Sequence, residues 1–192
     1  IVIHLACISN DPSFELNPKL GKSINFDCFE PLVLSAKKSG VRKFIFASSS
    51  SVYGVKNTKD VTEEASLDPL TDYSKFKMHC EDILLSKTDN NFLGCVIRPA
   101  TVCGVSPRMR LDISVNILTY SALKNKVIKV FGGNQIRPNI HIDDICSVYE
   151  FFIDNKIKSG CYNAGFENIS ILEIAKLVKK KLPDSKILIE ES

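Results

Sequence analysis

The alternation of short, continuous apolar runs with helical patterns constrains the fold most. Runs such as IVIHLA and KFIFA lack the polar alternation of a strand with one wet face, so we expect strands buried on both faces. Such strands, separated by helices, form parallel sheets covered on both sides. The pattern therefore predicts an α/β fold with a parallel sheet.

The predicted elements follow in chain order. Strands are expected at residues 1–6, 43–47, 92–97, 127–131, 140–142, 160–163 and 186–189. Helices are expected at residues 18–38, 73–87, 111–124 and 144–154, and after Ser170, where SILE indicates a capping box with Glu173. Polar loops connect them, including residues 48–72.

Composition excludes several classes of protein. The 192 residues are 44% hydrophobic, enough for a sizeable core. The 25 basic and 22 acidic residues are interspersed and give a net charge of +3, so we expect no nucleic-acid partner. The seven cysteines show no CxxC spacing, which favours reduced thiols in a cytoplasmic protein over disulfides or a metal site.

The sequence as given shows no targeting segment. No apolar run reaches the length of a membrane span and no charged-then-apolar leader is present, so we expect no membrane partner. The chain opens without Met in an apolar run suited to a buried strand. We therefore expect a fragment whose upstream strands are missing.

A run of four serines follows the strand FIFA in FIFASSSSVYG. A linker and a functional site are both conceivable for such a run. Ligands of parallel α/β sheets bind beyond the carboxyl ends of the strands. The position at a strand end favours a site.

Tyr-x-x-x-Lys spacing occurs twice, as Tyr73–Lys77 and Tyr120–Lys124. On one helix face the ammonium can lie near the phenol and favour its ionised form, as a general acid or base requires. The spacing alone is weak evidence. Tyr73 opens its helix downstream of a strand ending in hydroxyls, so we interpret Tyr73 as functional and Tyr120 as an ordinary helical tyrosine.

Six motifs carry a family resemblance. In order they are IVIHLAC, FIFASSSSVYG, PLTDYSKFK, IRPATVCG, VFGGNQIRPNIHIDD and GCYNAG. Together they resemble extended short-chain dehydrogenases/reductases, specifically the NAD-dependent epimerase/dehydratase family that acts on nucleotide sugars. The resemblance implies a Rossmann-type doubly wound parallel sheet with a smaller, interleaved substrate-binding domain. It also implies a homodimer.

The resemblance implies three catalytic residues. Ser49, five residues before the Gly of VYG, would hold and polarise the reacting sugar oxygen. Tyr73 would remove or return the proton on that oxygen. Lys77 would bind the nicotinamide ribose and lower the Tyr73 pKa, while NAD, or alternatively NADP, exchanges hydride with the sugar.

Further contacts are implied by position in the motifs. The cofactor would be contacted by strand ends and the Tyr/Lys helix: His4, Leu5, Ala6, Cys7, Ala47, Ser48, Tyr73, Lys77, Pro99 and Ala100. The nucleotide diphosphate-sugar would be contacted by Ser49, Ser50, Thr101, Arg108 and Arg137, with Arg137 clamping the diphosphate. His4 could equally be a packed structural histidine. The resemblance places Asn25 near the active site, but Asn25 could equally be a solvated helix residue. Arg108 has the alternative of a solvated loop position.

The predicted domain organisation follows the same resemblance. Residues 1–105 and 136–165 would form the rest of the NAD-binding domain, and residues 106–135 and 166–192 the substrate-binding part. The sequence contains neither the Gly-rich dinucleotide turn nor the acidic residue that reads the adenosine ribose. We therefore expect this chain by itself to bind NAD poorly.

The reaction type is narrowed by Ser50 and Ser51. Family dehydratases carry an Asp-Glu pair there, because removal of water needs an acid and a base. We therefore rank 4,6-dehydration low and favour epimerisation through a transient 4-keto sugar. Reduction of a 4-keto sugar by NAD(P)H is the first alternative, and a non-catalytic dinucleotide sensor or scaffold is a distant one.

Overall fold

The computed structural model describes residues 1–58 and 60–190, which form two compact units. The first unit comprises Ile1–Pro99 and Val148–Ala164, and the second comprises Ala100–Ser147 and the chain from Gly165 onward. The chain thus changes unit after residues 99, 147 and 164. The boundaries of the NAD-binding and substrate-binding domains, after residues 105, 135 and 165, stay a prediction. The second unit includes residues 136–141 because the strand at 101–103 pairs with residues 139–141, and the strand at 167–170 pairs with residues 136–139.

Strands and helices are interleaved along the described residues. The strands are β1 (Val2–His4), β2 (Lys43–Ala47), β3 (Leu93–Pro99), β4 (Thr101–Cys103), β5 (Val127–Phe131), β6 (Ile136–His141), β7 (Gly160–Ala164), β8 (Glu167–Ser170) and β9 (Lys186–Glu190). The α-helices are α1 (Asp11–Glu15), α2 (Pro18–Lys22), α3 (Phe29–Lys38), α4 (Asp72–Ser86), α5 (Ser114–Asn125), α6 (Ile142–Asp154) and α7 (Ile171–Lys181).

The first unit contains a parallel four-stranded sheet of order β1-β2-β3-β7. Its core is formed by aromatic and aliphatic side chains of α3, α4 and the strands, among them Phe29, Phe44, Phe46, Leu84 and Val96. The parallel register brings the carboxyl ends of the strands to one edge, where Ala47 pairs with Ile97. The predicted α/β class with a parallel sheet is confirmed.

The predicted helix at residues 18–38 is interrupted. A π-helical turn, Ser23–Asp27, separates α2 from α3. Within this turn the buried Asn25 amide bonds the backbone of Ile8: its Oδ1 accepts from the Ile8 N–H at 2.8 Å, and its Nδ2 donates to the Ile8 carbonyl at 3.0 Å. Asn25 therefore holds the loop after β1 in place. The helical periodicity of the sequence does not indicate this contact.

The second unit contains a three-stranded sheet of order β4-β6-β8 and the parallel pair β5-β9. Its core lies between α5, α7 and β5, with Leu118, Ile128 and Ile174 buried. The predicted capping box of Ser170 and Glu173 is confirmed. β8 was not predicted, because four residues with polar ends carry little periodicity.

Pro138 lies in β6, the central strand of the three-stranded sheet, although proline cannot donate to a ladder. The pairing of β6 with β4 begins one residue later, at Asn139 opposite Thr101, whereas Pro138 faces only Asn168 of β8. Pro138 therefore occupies a position that is locally an edge.

Over the described parts of the chain, the helices are all too short or too polar to span a bilayer.

Candidate active site

The serine run forms a tight turn at the carboxyl end of β2. Ser49 has extended backbone angles (φ −160°, ψ 145°) and caps a 3-10 helix, Ser50–Tyr53. Its Oγ accepts hydrogen bonds from the Ser51 amide at 3.2 Å and from the Ser51 hydroxyl at 2.9 Å. Because Ser49 Oγ acts as acceptor in both bonds, its own proton is available to donate to a ligand oxygen.

Gly54, the last residue of the VYG motif, closes this turn, and its geometry explains why a glycine stands there. Its φ of 68° favours glycine, and a Cβ there would overlap the carbonyl oxygen of Asp68. Asp68 in turn donates its backbone N–H to the Val52 carbonyl at 3.1 Å. The turn that carries Ser49 is thus held at its far end by the chain returning at residue 68.

Helix α4 brings Tyr73 and Lys77 to the same strand end. A capping box of Thr71 and Ser74 starts the helix, so Tyr73 lies in its first turn. The Lys77 ammonium donates to the carbonyl of Ala47, the last residue of β2, at 2.7 Å. It also lies 4.8 Å from the ring centre of Phe46 and 5.7 Å from that of Tyr73. The structure therefore places Lys77 beside Tyr73 and joins it to Ala47, which lies two residues before Ser49.

The second Tyr-x-x-x-Lys pair has a different environment. Lys124 lies over the Tyr120 ring at 5.4 Å, but this tyrosine is partly exposed on α5 in the second unit. Tyr73 and Lys77 are 8% and 4% exposed. Burial in a polar cluster, rather than spacing, distinguishes the two pairs, and it favours the interpretation of Tyr73 as the functional tyrosine.

A buried polar network lies behind the serine turn, and the sequence analysis did not identify it. Glu81 and Arg98 form an ion pair with 2.6 Å between Arg98 Nη2 and Glu81 Oε2. The Ser48 hydroxyl donates to Glu81 Oε1, and Arg98 Nη1 donates to the Tyr53 hydroxyl at 2.8 Å. An arginine inside the otherwise apolar strand FLGCVIRP was the available signal, because a buried guanidinium requires a carboxylate partner.

The charges of this network are well matched. Burial by itself would lower the pKa of Arg98, but its hydrogen bonds to Glu81 and Tyr53 outweigh burial and raise that pKa. Burial and the Glu81 carboxylate raise the pKa of the neighbouring Cys161 thiol to about 11, so this thiol is neutral. The guanidinium is therefore a stable cation beneath the turn.

The predicted contacts after β1 are only partly exposed to a ligand. Leu5 and Ala6 are exposed and Cys7 is partly buried. The His4 ring packs against Phe29 and Phe46, with ring centres 5.5 and 6.0 Å apart. These contacts are those of a packed aromatic residue, and a cofactor role for His4 stays a prediction.

The remaining predicted contacts are divided between the units. Pro99 ends β3 in the first unit, whereas Ala100, Thr101, Arg108 and Arg137 belong to the second. Within the second unit, Thr101 and Arg137 lie on neighbouring strands, since Thr101 pairs with Asn139 of β6. Arg108 is exposed in a loop, and exposed Arg137 donates to Gln135 Oε1 at 3.2 Å. Their roles stay predictions.

A separate groove of about 620 Å³ lies in the second unit. Its walls are mainly apolar side chains of α5 and α7: Val115, Leu123, Ile174, Leu177 and Val178. Such a lining offers few donors for phosphates, so we do not assign the nucleotide to it.

Within residues 1–58 and 60–190, no group of three or more His, Cys, Asp or Glu side chains is arranged for a metal ion.

The strand-end residues suit the nicotinamide half of a dinucleotide. An ammonium has three donors, and in the described chain the hydrogen-bond acceptor of Lys77 is the Ala47 carbonyl, which leaves donors for ribose hydroxyls. A Rossmann-type parallel sheet with a serine after one strand and a Tyr-x-x-x-Lys pair on the next long helix is typical of the class of short-chain dehydrogenases/reductases.

Comparison with known proteins identifies the family within that class. The model of the NAD dependent epimerase/dehydratase family matches residues 1–165. The chain therefore belongs to this family, whose named members are enzymes.

Three similar proteins illustrate the match. The chain is 30% identical over 166 residues to UDP-glucose 4-epimerase of Bacillus subtilis, covering 75% of the chain and 49% of the relative. It is 32% identical over 148 residues to ADP-L-glycero-D-manno-heptose-6-epimerase of Brachyspira hyodysenteriae, covering 72% and 46%. UDP-glucuronic acid 4-epimerase of Bacillus cereus, solved with UDP-glucuronic acid and NAD, superimposes with a TM-score of 0.83 at 27% identity, covering 100% and 63%. The chain spans about half the length of the curated relatives it matches.

Proposed function

We propose that the protein carrying this chain is an NAD-dependent nucleotide-sugar epimerase that inverts C4 through a transient 4-keto sugar. The observation that carries the proposal is the cluster at the end of β2. It combines the Ser49 hydroxyl, whose proton is available, with buried Tyr73 and the Lys77 ammonium. The named epimerases among its relatives support the same reaction class.

Ser49 would hold the sugar oxygen that gains and loses a proton. Its Oγ accepts two hydrogen bonds from Ser51, and such acceptance polarises a hydroxyl and strengthens it as a donor. The hydroxyl would thus donate to the oxygen at C4 as that oxygen takes on carbonyl character.

Tyr73 would act as the acid and base. A nearby ammonium favours the phenolate form of a tyrosine, which can accept the proton of the C4 hydroxyl and return it later. Bound NAD would supply the hydride acceptor and donor. The further donors of Lys77 would hold the nicotinamide ribose, so one ammonium would orient the cofactor and favour the phenolate.

Ser50 and Ser51 support epimerisation over dehydration. Neither hydroxyl can replace the Asp-Glu pair of the family's dehydratases as an acid and base near neutral pH. Ser51 is instead engaged with Ser49.

We further propose that the first unit holds NAD and that Thr101, Arg108 and Arg137 of the second contact the nucleotide sugar. The proposal includes a cytoplasmic homodimer; the seven free thiols are compatible with a reducing compartment.

The test uses the complete gene product that contains this chain. It is incubated with UDP-, ADP-, GDP- and dTDP-sugars, with and without NADH, and the products are followed by NMR. We expect a sugar isomer to form without net consumption of NADH. Stoichiometric loss of NADH when a 4-keto sugar nucleotide is the substrate would show a reductase. Formation of a 4-keto-6-deoxy product would show a dehydratase.

Tyr73→Phe tests the assigned acid and base. Loss of the phenolic oxygen should lower kcat by about 100-fold or more, because proton transfer loses its catalyst. Tyr120→Phe is the matched control, since it removes the same atom beside a lysine at the same spacing, and it should leave kcat unchanged. Equal rates for the two variants would refute the assignment.

A further inference from the structure

The Glu81–Arg98 ion pair touches both sides of the turn that carries Ser49. On one side, the Ser48 hydroxyl donates to Glu81. On the other side, Arg98 donates to the Tyr53 hydroxyl, which donates to Asn163 Oδ1 at 2.7 Å. Ser49 lies between these two anchored residues. The position of its hydroxyl is therefore tied to the ion pair through side chains on both flanks.

Glu81 also continues the polar stripe of α4. Tyr73, Lys77 and Glu81 are spaced by four residues, so they lie along one face of the helix. Lys77 bonds the carbonyl of Ala47, and Glu81 bonds the hydroxyl of Ser48, the next residue. One helical face thus holds consecutive residues of the strand end immediately before Ser49.

Stability alone is a poor explanation for this pair. Glu81 and Arg98 are 2% and 4% exposed, and the desolvation of two such charges offsets most of their attraction. A well-packed apolar pair is often at least as stable. What the pair supplies beyond an apolar pair is a set of directional bonds to Ser48 and Tyr53.

We propose that Glu81 is a positioning residue that, with Arg98, fixes the orientation of the Ser49 hydroxyl through Ser48 and Tyr53. The inference rests on the proposed function for its catalytic consequence. Its structural content, that the pair immobilises the turn, holds for the chain itself.

Ser48→Ala and Tyr53→Phe are the informative variants, because each removes one hydroxyl link and leaves the ion pair intact. Glu81→Gln would strand the buried Arg98 charge and endanger folding. Lys43→Met is the matched control: Lys43 is a buried polar residue at the opposite end of β2, and its ammonium bonds backbone carbonyls of residues 152, 153 and 155.

Hydrogen exchange gives a readout that needs no substrate. The Ser51 amide donates to Ser49 Oγ and the Val52 amide donates to the Ser49 carbonyl, so both report directly on the turn. We expect each link variant to speed their exchange roughly tenfold, the effect of losing one hydrogen bond to a charged network. In the same variants the amides of Phe44 and Ile45 should be unaffected. Unchanged exchange at Ser51 and Val52 would overturn the proposal.

Steady-state kinetics gives the catalytic readout in the complete gene product. We expect Ser48→Ala and Tyr53→Phe to lower kcat roughly tenfold with KM changed less than about twofold, since misorientation affects the reacting geometry more than binding. Lys43→Met should keep kcat. An equal loss of kcat in Lys43→Met would reduce the effect to general destabilisation and overturn the positioning role.

The two proposals fail differently. If no sugar nucleotide is turned over, the proposed function fails, while the exchange rates at Ser51 and Val52 still decide whether the pair orders the turn. If Tyr73→Phe abolishes turnover but the link variants keep both kcat and slow exchange, the function stands and the positioning role is wrong.

Discussion

His4 lies at the end of β1 with its imidazole among phenylalanine rings and near the Lys77 ammonium. Burial lowers the pKa of His4 from its ordinary value of 6.5, and the charge of Lys77 lowers it further. The folded protein thus binds this proton less readily than the unfolded chain. The contribution of His4 to stability is complete above about pH 6.5 and is lost as the pH falls below that value.

A pH series can test this linkage. The free energy of unfolding, measured with urea at pH 7.5, 6.5 and 5.5, should fall less steeply with decreasing pH in His4→Gln than in the natural protein. His79→Gln, which replaces an exposed histidine, is the matched control for the loss of an imidazole. If the free energy of unfolding of His4→Gln falls with decreasing pH as steeply as that of the natural protein, the lowered pKa of His4 makes no contribution to the pH dependence of stability.

Lys43 of β2 caps the carboxyl end of α6. Its ammonium donates to the carbonyls of Phe152, Ile153 and Asn155 at 2.5, 3.3 and 2.8 Å. The last carbonyls of a helix have no partner within the helix, and a cation there also interacts favourably with the helix dipole. One side chain therefore joins a strand to a helix more than 100 residues later in the chain.

Replacing this cap should destabilise the first unit. We expect Lys43→Met to lower the free energy of unfolding by about 2 kcal/mol, since several carbonyls lose a charged donor. Lys38→Met, at an exposed lysine near the end of α3, should change it by less than about 0.5 kcal/mol. Urea denaturation of both variants measures the difference. Similar values for the two would show that the contacts of Lys43 contribute no net stability.

The three proposed catalytic residues all lie in the first unit, and the two predicted arginine contacts lie in the second. In the proposed function, Lys77 and the strand ends of the first unit hold the nicotinamide half of the dinucleotide. The sequence provides no Gly-rich turn whose backbone N–H groups could hold the pyrophosphate.

We expect residues 1–192 by themselves to bind NAD weakly, with a Kd near 1 mM or about −4 kcal/mol. Calorimetry should give nicotinamide mononucleotide a similar affinity, because the adenosine half gains few contacts. Submicromolar binding of NAD would contradict this and would require a pyrophosphate site that the sequence does not reveal.

The sequence by itself predicted the parallel sheet, the strand at residues 43–47 and the helix that presents Tyr73 and Lys77. These features depend on apolar runs, helical spacing and caps, which are encoded within a few consecutive residues. The sequence also ranked Tyr73 above Tyr120, but on context alone.

Only the tertiary structure decided the partners of the buried polar groups. Arg98 meets Glu81 across 17 residues of chain, and Lys43 meets Asn155 across 112. A buried charge must find a partner, but local sequence does not say which one, because the choice depends on the register of assembled strands and the face that each helix turns toward them. The same reason separates the exposed Tyr120–Lys124 pair from the buried Tyr73–Lys77 pair, and it places Glu81 behind Ser49.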